Sequence, residues 1–239
     1  MSVSNEAKGE KSMCGRFTLV ADESEVFETF SVERVDYEYS PRYNVAPSQT
    51  IAAIAHWDGE RVLTGYRWGL IPFWAKDAKI GYKMINARAE TIESKPAFRN
   101  LLSRNRVVIP SDGFYEWKKA GDDKQPFRFQ LESKKVFGFA GLFDTWEHPE
   151  NGEMIRSCTI ITTEPNQLVQ DVHDRMPVIL NSEGVNMWLD PKVTDKHVLQ
   201  DLLVPYPAEQ MILYPVSKMV GNVKNNQASL VDEIPMNSR

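Results

Sequence analysis

The sequence predicts an α+β fold in which short strands form an antiparallel, barrel-like sheet within a single domain, with helices at its periphery. Two observations support this prediction. Apolar residues alternate with polar ones over many short runs, which is the period of a half-buried strand. Helical patterns are few and do not alternate with the strands, as the βαβ units of a parallel sheet would require. With 239 residues, the chain fits one large domain or two small ones, and it is long enough for a substantial hydrophobic core.

Strands are predicted where apolar residues alternate, or β-branched residues cluster, between turn signals. They cover residues 17–20, 51–56, 61–68, 85–88, 106–110, 127–131, 136–142, 154–163 and 211–216. Asp58 and Gly59 form the turn of a hairpin between the second and third of these strands. A turn at 111–113 leads into an aromatic run over 113–117, and a hairpin turn at 121–124 follows it.

Helices are predicted where apolar residues recur at helical spacing after an acidic or proline-containing start. They cover residues 22–30, 94–102, 184–189 and 195–203, and a further helix begins at 164–166. Residues 37–47, rich in Tyr, Pro and Asn, form a loop. Residues 68–74 form an aromatic loop that is interrupted by Gly69 and Pro72.

The chain divides into an N-terminal extension over residues 1–13, a catalytic domain over 14–231 and a C-terminal tail over 232–239. The extension is polar, with no apolar core, so it is not a secretory signal and is expected to be disordered or removed. No apolar run is long enough to cross a membrane. Two cysteines and no export signal indicate a cytoplasmic protein whose thiols stay reduced.

The charge balance and the known binding motifs restrict the function. A net charge of -5 and a pI of about 5.5 argue against a globally basic nucleic-acid-binding protein, although a local basic groove is compatible with them. The four histidines are far apart, and none is at ligand spacing from another His or Cys, so no metal site is predicted. Nucleotide-binding and zinc-protease motifs are absent from the sequence, and no small-molecule cofactor is expected.

Cys14, in the segment Met13-Cys14-Gly15-Arg16-Phe17, is the first candidate for chemistry. If the mature chain began at Cys14, that residue would carry a free α-amine beside its thiol. Their unperturbed pKa values of about 7.7–8.0 and about 8.5 leave both partly available at neutral pH. Arg16 would supply a cation that holds a phosphate or lowers the pKa of the thiol.

Two further residues could move protons. His173 is flanked by Asp174 and Arg175, so it is equally well explained as a general acid or base and as a surface or capping histidine. Glu116 lies among aromatic residues, and an inward orientation would raise the pKa of its carboxyl through desolvation. Alternation by itself favours the other explanation, in which Glu116 points into solvent.

Asn86, Arg88 and the tryptophans of the aromatic loop are weaker candidates. Asn86 and Arg88 alternate on one strand, where the amide could orient an amine and the guanidinium could hold a phosphate. A satisfied polar pair on a strand is the alternative. For Trp68 and Trp74, a packed corner of the core is the role that the residues by themselves favour.

The chain resembles the SRAP family (SOS response-associated peptidases, the abasic-site processing proteins). Several well-spaced motifs in the same order carry this resemblance, which covers residue 14 to about residue 231. The matching segments are residues 13–17, 43–47, 68–72, 85–91, 113–117 and 173–177, with 215–217 and 223–225 near the C-terminus.

The resemblance implies an enzyme that forms a covalent link to abasic sites in single-stranded DNA. In this family the nucleophile is the residue that corresponds to Cys14. Its amine attacks the sugar aldehyde to give a Schiff base, and its thiol closes a five-membered thiazolidine. This chemistry needs an N-terminal Cys, whereas here residues 1–12 precede Met13. Translation from Met13, or cleavage of the Met13–Cys14 bond, would resolve the difference.

The resemblance also implies roles for the other candidates. Asn86 would orient the amine and the sugar, Glu116 would move protons and promote strand scission, and His173 would assist ring opening. Flanking phosphates and bases would be contacted by Arg16, Arg88, Arg175, Trp68 and Trp74. The protein is expected to act as a monomer, without a metal.

Two other classes of protein remain open from the sequence. The first is a peptidase or amidohydrolase with an N-terminal nucleophile, which would use Cys14 and Glu116 on an amide. The second is a non-catalytic DNA-binding or protein-binding module, whose function would not depend on Cys14.

Overall fold

The computed structural model describes residues 14–121 and 123–235, so the predicted extension over 1–13 lies outside the described residues. The described chain contains three α-helices, α1 (Glu23–Phe30), α2 (Ser182–Leu189) and α3 (Lys196–Asp201). Its strands are β1 (Phe17–Leu19), β2 (Arg34–Asp36), β3 (Arg42–Val45), β4 (Thr50–Trp57), β5 (Glu60–Trp68), β6 (Asn86–Arg88), β7 (Arg106–Ser111), β8 (Gly113–Ala120), β9 (Asp123–Leu131), β10 (Phe137–Glu147), β11 (Met154–Thr163), β12 (Met176–Pro177), β13 (Ile179–Leu180) and β14 (Met211–Pro215).

Five of the strands close into a barrel. Antiparallel pairing runs through β5, β4, β7, β10 and β11, and a parallel pairing of β11 with β5 completes the ring. Two residue pairs mark the contacts that close the ring. Ile54 of β4 pairs with Val108 of β7, and Cys158 of β11 pairs with Trp68 of β5. The predicted α+β class with a barrel-like sheet is therefore confirmed.

A second sheet of five antiparallel strands lies against the barrel, in the order β14-β9-β8-β1-β3. Aromatic rings fill the space between the two layers. Phe17 of β1 contacts both Trp68 and Phe139 of the barrel, with ring centroids 5.3 Å and 5.8 Å apart. Phe114 of β8 stacks on Phe129 of β9 at 5.0 Å. These contacts hold the start of β1 close to one end of the barrel.

The helices cover the other side of the barrel strands. Alternation along β4 shows the two sides: Ile54 belongs to the cluster that contains α1 and α2 residues, and Ala53 and Ala55 belong to the cluster shared with the second sheet. Helix α1 presents Val26 and Phe30, four residues apart, to this core. No helix in the described residues is long and apolar enough to cross a membrane.

Some local predictions are wrong. Residues 42–45, predicted as loop, form β3, because Val45 pairs with Phe17 of β1. Residues 94–102 and the segment after 164–166 form successive turns rather than helices. Buried side chains such as Phe98 and Val169 fix these turns in place, so tertiary packing overrides the weak helical pattern. The sheet also contains parallel pairings of β2 and of β6 that the antiparallel prediction did not include.

The aromatic loop that follows β5 is fixed by a close approach of two glycines. Gly69 has a φ of +126°, and a Cβ built on it would lie 2.6 Å from the carbonyl oxygen of Gly81.

Gly69→Ala should therefore lower the free energy of unfolding by about 2 kcal/mol or more, from backbone strain and the clash together. Denaturant titration measures this. Gly59→Ala is the control, since Gly59 also has a positive φ of +89° but no atom lies within 4 Å of its built Cβ. Equal losses in the two variants would contradict the contact.

The C-terminal segment crosses the outer face of the second sheet. Val216, Val220 and Leu230 are buried against Tyr115 of β8, whose hydroxyl donates to the carbonyl of Leu230. Part of the predicted tail over 232–239 is described, and Glu233 forms a bridge with Val216. As a result both faces of β8 are covered, which determines the environment of Glu116.

Candidate active site

Three of the predicted residues meet at the end of the barrel next to β1. One atom each from Cys14, Glu116 and His173, namely the sulfur, a carboxylate oxygen and a ring nitrogen, lie within 4.8 Å of one another. All three residues are buried, with exposed fractions of 5%, 2% and 9%. The residues are separated by long stretches of sequence, so this cluster is a product of the fold.

Strand β1 brings Cys14 to the cluster. Phe17 pairs with Val45 on one side and with Phe114 on the other, and the amide of Tyr115 donates to the carbonyl of Arg16 at 3.0 Å. The Cys14 thiol in turn lies 3.7 Å from the carbonyl oxygen of Arg175. The start of β1 is therefore tied both to the strand that carries Glu116 and to the segment that carries His173.

A buried ion pair anchors β1 on its other side. The Asp112 carboxylate accepts hydrogen bonds from the hydroxyl of Thr18 and from the backbone amides of Val20 and Ala21. Arg128 lies 3.1 Å from the same carboxylate. Because the carboxylate is satisfied by several donors at once, its burial is compensated. This network, which sequence reasoning missed, holds β1 in register with the turn before β8.

Glu116 points inward, which sequence alternation alone did not favour. It lies on the same face of β8 as Phe114, two residues before it, and that face packs on the barrel. Burial raises the pKa of the Glu116 carboxyl well above its usual range, opposed by a hydrogen bond from the Cys14 thiol and reinforced by the charge of Asp174. Among the described residues, no hydrogen-bond partner is found for Oε1 of Glu116. A carboxyl in this state can act as a proton donor near neutral pH.

The Cys14 thiol shares this environment. Burial raises the pKa of the Cys14 thiol, and the neighbouring Glu116 carboxylate raises it further by charge and by hydrogen bonding. The thiol is therefore kept protonated until a nearby base accepts its proton. The positive charge of Arg175 opposes this shift and lowers the pKa of the thiol.

His173 contacts Glu116 through one ring nitrogen and the backbone through the other. Nε2 lies 3.3 Å from Oε2 of Glu116. Nδ1 lies 2.9 Å from the carbonyl oxygen of Arg175 and 3.1 Å from its amide nitrogen. Since the backbone offers both a donor and an acceptor, either neutral tautomer and the imidazolium can be accommodated. This histidine is suited to passing protons to and from Glu116.

The burial of Glu116 predicts a pH-dependent stability difference between the wild-type chain and Glu116→Gln. A carboxyl whose pKa is raised in the folded state stabilises the fold below its unfolded pKa, 4.5 for Glu, and this stability is lost as pH rises through the folded pKa. Glu116→Gln removes that titration. At neutral pH the variant should therefore be the more stable by about 1–3 kcal/mol, and the difference should shrink towards pH 4.5. Denaturant titrations across this range measure it, and a difference that grows on acidification would contradict the assignment.

Asn86 and Arg88 lie on β6, which pairs in parallel with β11. The Asn86 side chain has both polar atoms buried and without a hydrogen-bond partner among the described residues. Unpaired buried amide groups cost free energy, so such an amide is a candidate for contact with a substrate. Arg88 is exposed, two positions along the same strand, and its guanidinium is accessible to an anion.

The two tryptophans differ sharply. Trp68 is 1% exposed, its ring packs on Phe17, and its indole donates to the carbonyl of Ile85 at 2.9 Å. The structure thus places Trp68 in the core, where its faces are covered, and the prediction that it contacts DNA needs correction. Trp74 is 50% exposed, and its neighbour Phe73 is 68% exposed. Of the two tryptophans, Trp74 is the one exposed enough to stack on a base.

Arg16 and Arg175 are held by protein groups. Arg16 donates to the side chain of Asn44 at 3.1 Å and to the carbonyl of Val220 at 2.7 Å. Arg175 forms a bidentate ion pair with Glu90, at 2.8 Å and 3.0 Å. Phosphate binding by either guanidinium would therefore have to share or replace these partners.

Asn44 positions Arg16 and the C-terminal segment, a role that sequence reasoning did not assign to it. It is 1% exposed, its carbonyl oxygen accepts from Arg16, and its amide donates to three backbone carbonyls of the C-terminal segment, at Val220, Asn222 and Asn225. It links β3, Arg16 and the C-terminal segment in one network. The only signal in the sequence was its place in the segment over 43–47.

Known proteins resemble the chain in sequence and in fold. The family model described as SOS response associated peptidase (SRAP) matches residues 13–223 of the chain. A crystal structure of a protein from Bacteroides thetaiotaomicron superposes with a TM-score of 0.85 at 28% sequence identity, covering 93% of this chain and 100% of that one.

Curated relatives come from bacteria and vertebrates. Abasic site processing protein YoqW of Bacillus subtilis is 51% identical over 223 residues, which cover 92% of this chain and 99% of YoqW. YedK of Escherichia coli is 32% identical, over 93% of this chain and 100% of that protein. HMCES of Xenopus tropicalis, also named an abasic site processing protein, is 35% identical over 79% of this chain and 65% of its own length. Because the family model matches most of its length, the chain belongs to the SOS response associated peptidase (SRAP) family.

Proposed function

We propose that this protein acts on abasic sites in single-stranded DNA and forms a covalent thiazolidine crosslink to them through Cys14. The observation that carries the proposal is the buried cluster in which the Cys14 sulfur, the Glu116 carboxylate and the His173 imidazole lie within 4.8 Å of one another. The names of the relatives supply the substrate class, since YoqW, YedK and HMCES are each called abasic site processing proteins.

The proposed chemistry follows from the groups present. The ring-opened sugar of an abasic site carries an aldehyde. The amine of Cys14 adds to the aldehyde carbon, and the resulting hydroxyl leaves as water to give a Schiff base. The Schiff base keeps one proton on its nitrogen, so the Cys14 sulfur adds to the same carbon while the thiol proton passes to the Glu116 carboxylate, and a five-membered ring closes with the net loss of one water.

Proton transfer is assigned to Glu116 and His173. Because burial raises the pKa of Glu116, its carboxyl can donate the proton that the leaving hydroxyl needs, and the carboxylate so formed can accept the thiol proton. His173, 3.3 Å away, can return a proton to Glu116 and assist opening of the sugar ring at its oxygen. The same carboxylate could remove a proton next to the Schiff base, which would give strand scission by β-elimination.

The proposal requires a free α-amine on Cys14, which a peptide bond to Met13 would abolish. We infer that the active form begins at Cys14. Translation from Met13 followed by removal of that Met would produce it, and so would hydrolysis of the Met13–Cys14 bond with the help of Glu116. The second route would account for the word peptidase in the family name.

DNA contact is assigned to exposed side chains. Arg88, which is exposed, offers a cation for a phosphate, with Arg16 and Arg175 as further candidates once their protein partners are displaced. Trp74 is exposed enough to stack on a neighbouring base without regard to sequence. Since few cations are involved, binding should weaken with salt along a shallow slope.

A crosslinking assay tests the proposal. A single-stranded oligonucleotide with one uracil, treated with uracil glycosylase, should give an adduct that survives a denaturing gel without added reductant, whereas the untreated oligonucleotide should give none. Intact mass should show a chain that starts at Cys14. Full crosslinking by a chain whose mass still includes residues 1–13 would overturn the amine requirement.

A second candidate is a cysteine peptidase or amidohydrolase with an N-terminal nucleophile, favoured by the same cluster of a thiol, a carboxyl and an imidazole. It predicts turnover of a peptide or amide and no adduct with abasic DNA. Finding turnover without an adduct in parallel assays would favour it over the crosslinking function.

We place the proposed function in the DNA damage (SOS) response, in the cytoplasm, and assign it to a monomer. A reducing compartment suits a reaction that consumes a free thiol. The described chain contains all three residues of the cluster, so a second copy is not needed to complete it.

A further inference from the structure

We propose that Cys14, Glu116 and His173 also form a binding site for a thiophilic divalent cation, with Zn²⁺ as the principal ion, and that the bound ion blocks crosslinking. The binding part of this inference rests on the geometry of the cluster alone. The blocking part rests on the proposed function.

The donor set is of the kind that zinc sites use. Thiolate sulfur, imidazole nitrogen and carboxylate oxygen are its usual ligands, at about 2.3 Å, about 2.0–2.1 Å and about 2.0–2.2 Å. Two such donors around one tetrahedral ion lie roughly 3.3–3.7 Å apart. The Glu116 and His173 atoms are already 3.3 Å apart, and all three donors lie within 4.8 Å. A shift of the thiol by about 1 Å would complete the geometry.

The surroundings of His173 and Glu116 fit metal ligands independently. A metal-binding histidine usually donates its second ring N–H to a backbone carbonyl or a carboxylate, and Nδ1 of His173 lies 2.9 Å from the carbonyl oxygen of Arg175. That contact directs Nε2 towards the cluster. Glu116 is 2% exposed, and among the described residues no partner is found for its Oε1 atom. A cation would supply the missing interaction.

The number of protein ligands also explains why a bound Zn²⁺ ion would inhibit crosslinking. Three protein ligands leave one tetrahedral position open, and the α-amine of an N-terminal Cys14 could fill it by forming a five-membered chelate ring with the sulfur. An ion held in this way would occupy both nucleophilic atoms and the proton donor. The sugar aldehyde would then meet no free amine or thiol.

Metal binding is tested on the full chain after it has been stripped with EDTA and transferred to metal-free buffer. Titration with Zn²⁺ against a chromophoric chelator should show one ion bound per chain. Cys14→Ser should weaken binding by about tenfold or more, because the thiolate ligand is lost. Cys158→Ala is the matched control, since Cys158 is fully buried within β11 and should leave the affinity unchanged.

A spectroscopic measurement distinguishes binding at Cys14 from weak binding of the ion at the protein surface. Co²⁺ should give a thiolate-to-metal charge-transfer band in the wild-type chain and in Cys158→Ala, and none in Cys14→Ser. The absence of a stoichiometric site, or a band that persists in Cys14→Ser, would overturn the inference.

Crosslinking assays separate this inference from the proposed function. In EDTA the adduct should form, one equivalent of Zn²⁺ should suppress it, and renewed EDTA should restore it. Protein already crosslinked to abasic DNA should no longer bind Zn²⁺ tightly. Crosslinking that is unaffected by bound Zn²⁺ would overturn the blocking role. Failure to crosslink in EDTA together with Cys14-dependent Zn²⁺ binding would refute the proposed function and leave the metal site standing.

Discussion

Replacing Cys14 by Ser is expected to abolish the adduct that survives a denaturing gel, a loss on the order of 100-fold or more in stable product. The serine variant keeps the α-amine, so it can still form a Schiff base. An oxygen ring closed in place of the thiazolidine would reopen readily, because the hydroxyl is a much weaker nucleophile than the thiol. The measurement is the fraction of abasic oligonucleotide that is shifted on a denaturing gel.

Borohydride reduction makes this experiment more informative. It traps a Schiff base as a stable amine, so Cys14→Ser should give an adduct with the reductant and none without it. Cys158→Ala is again the control, because that cysteine is fully buried within β11 and is not one of the three residues of the cluster. A serine variant that gives stable adduct without reductant would show that the sulfur is not needed.

Glu116→Gln is expected to slow crosslinking by about 10²–10⁴-fold, the usual contribution of a positioned general acid or base. The glutamine fills the same space between the thiol and the imidazole but cannot donate a proton to the leaving hydroxyl. Single-turnover rates measured across a pH series test this. In the wild type the rate should fall as pH rises through the raised pKa of Glu116, since the acid form is lost, and in the variant this fall should be absent.

The control for this variant is Glu147→Gln, at an exposed position at the end of β10, which should crosslink at the wild-type rate. Strand scission should fall together with crosslinking in Glu116→Gln, because one carboxyl is assigned to both steps. Unchanged rates of both reactions would remove Glu116 from the mechanism, and loss of only one would divide the two roles between different groups.

The proposed zinc site could be recognised only in the three-dimensional structure. Sequence spacing argued against a metal site, because the histidines have no partner at ligand spacing. The fold nevertheless brings one of them within 4.8 Å of a thiol and a carboxyl. Spacing rules detect ligands that share one local element, and they do not apply when three separate segments each contribute one ligand.

Most strands were predictable because each is bounded by local signals. The run over 154–163 matches β11 at both ends, and the hairpin at Asp58 and Gly59 joins β4 to β5 as expected. The errors fall where local patterns are weak. Residues 94–102 have helical spacing but form turns, in which Phe98 is buried. The polar run that contains β3 is a strand because it pairs with β1, which is distant in the sequence.

The orientation of Glu116 could not be decided from alternation. Tyr115 and Glu116 point to opposite faces of β8, and in a half-exposed strand the charged residue would face solvent. Here the C-terminal segment covers the Tyr115 face and the barrel covers the Glu116 face. A strand buried on both sides gives no preference to either orientation, so the choice depends on what packs there.

By itself the sequence determined the fold class, the positions of most strands and the identities of the residues that could react, because these depend on local periodicity and on side-chain chemistry. Only the tertiary structure decided that Cys14, Glu116 and His173 meet, that Trp68 is a core residue while Trp74 is exposed, and that the barrel closes through β5 and β11. Each of these outcomes depends on contacts between segments distant in the chain, whose free energies arise from burial and pairing that no local pattern records.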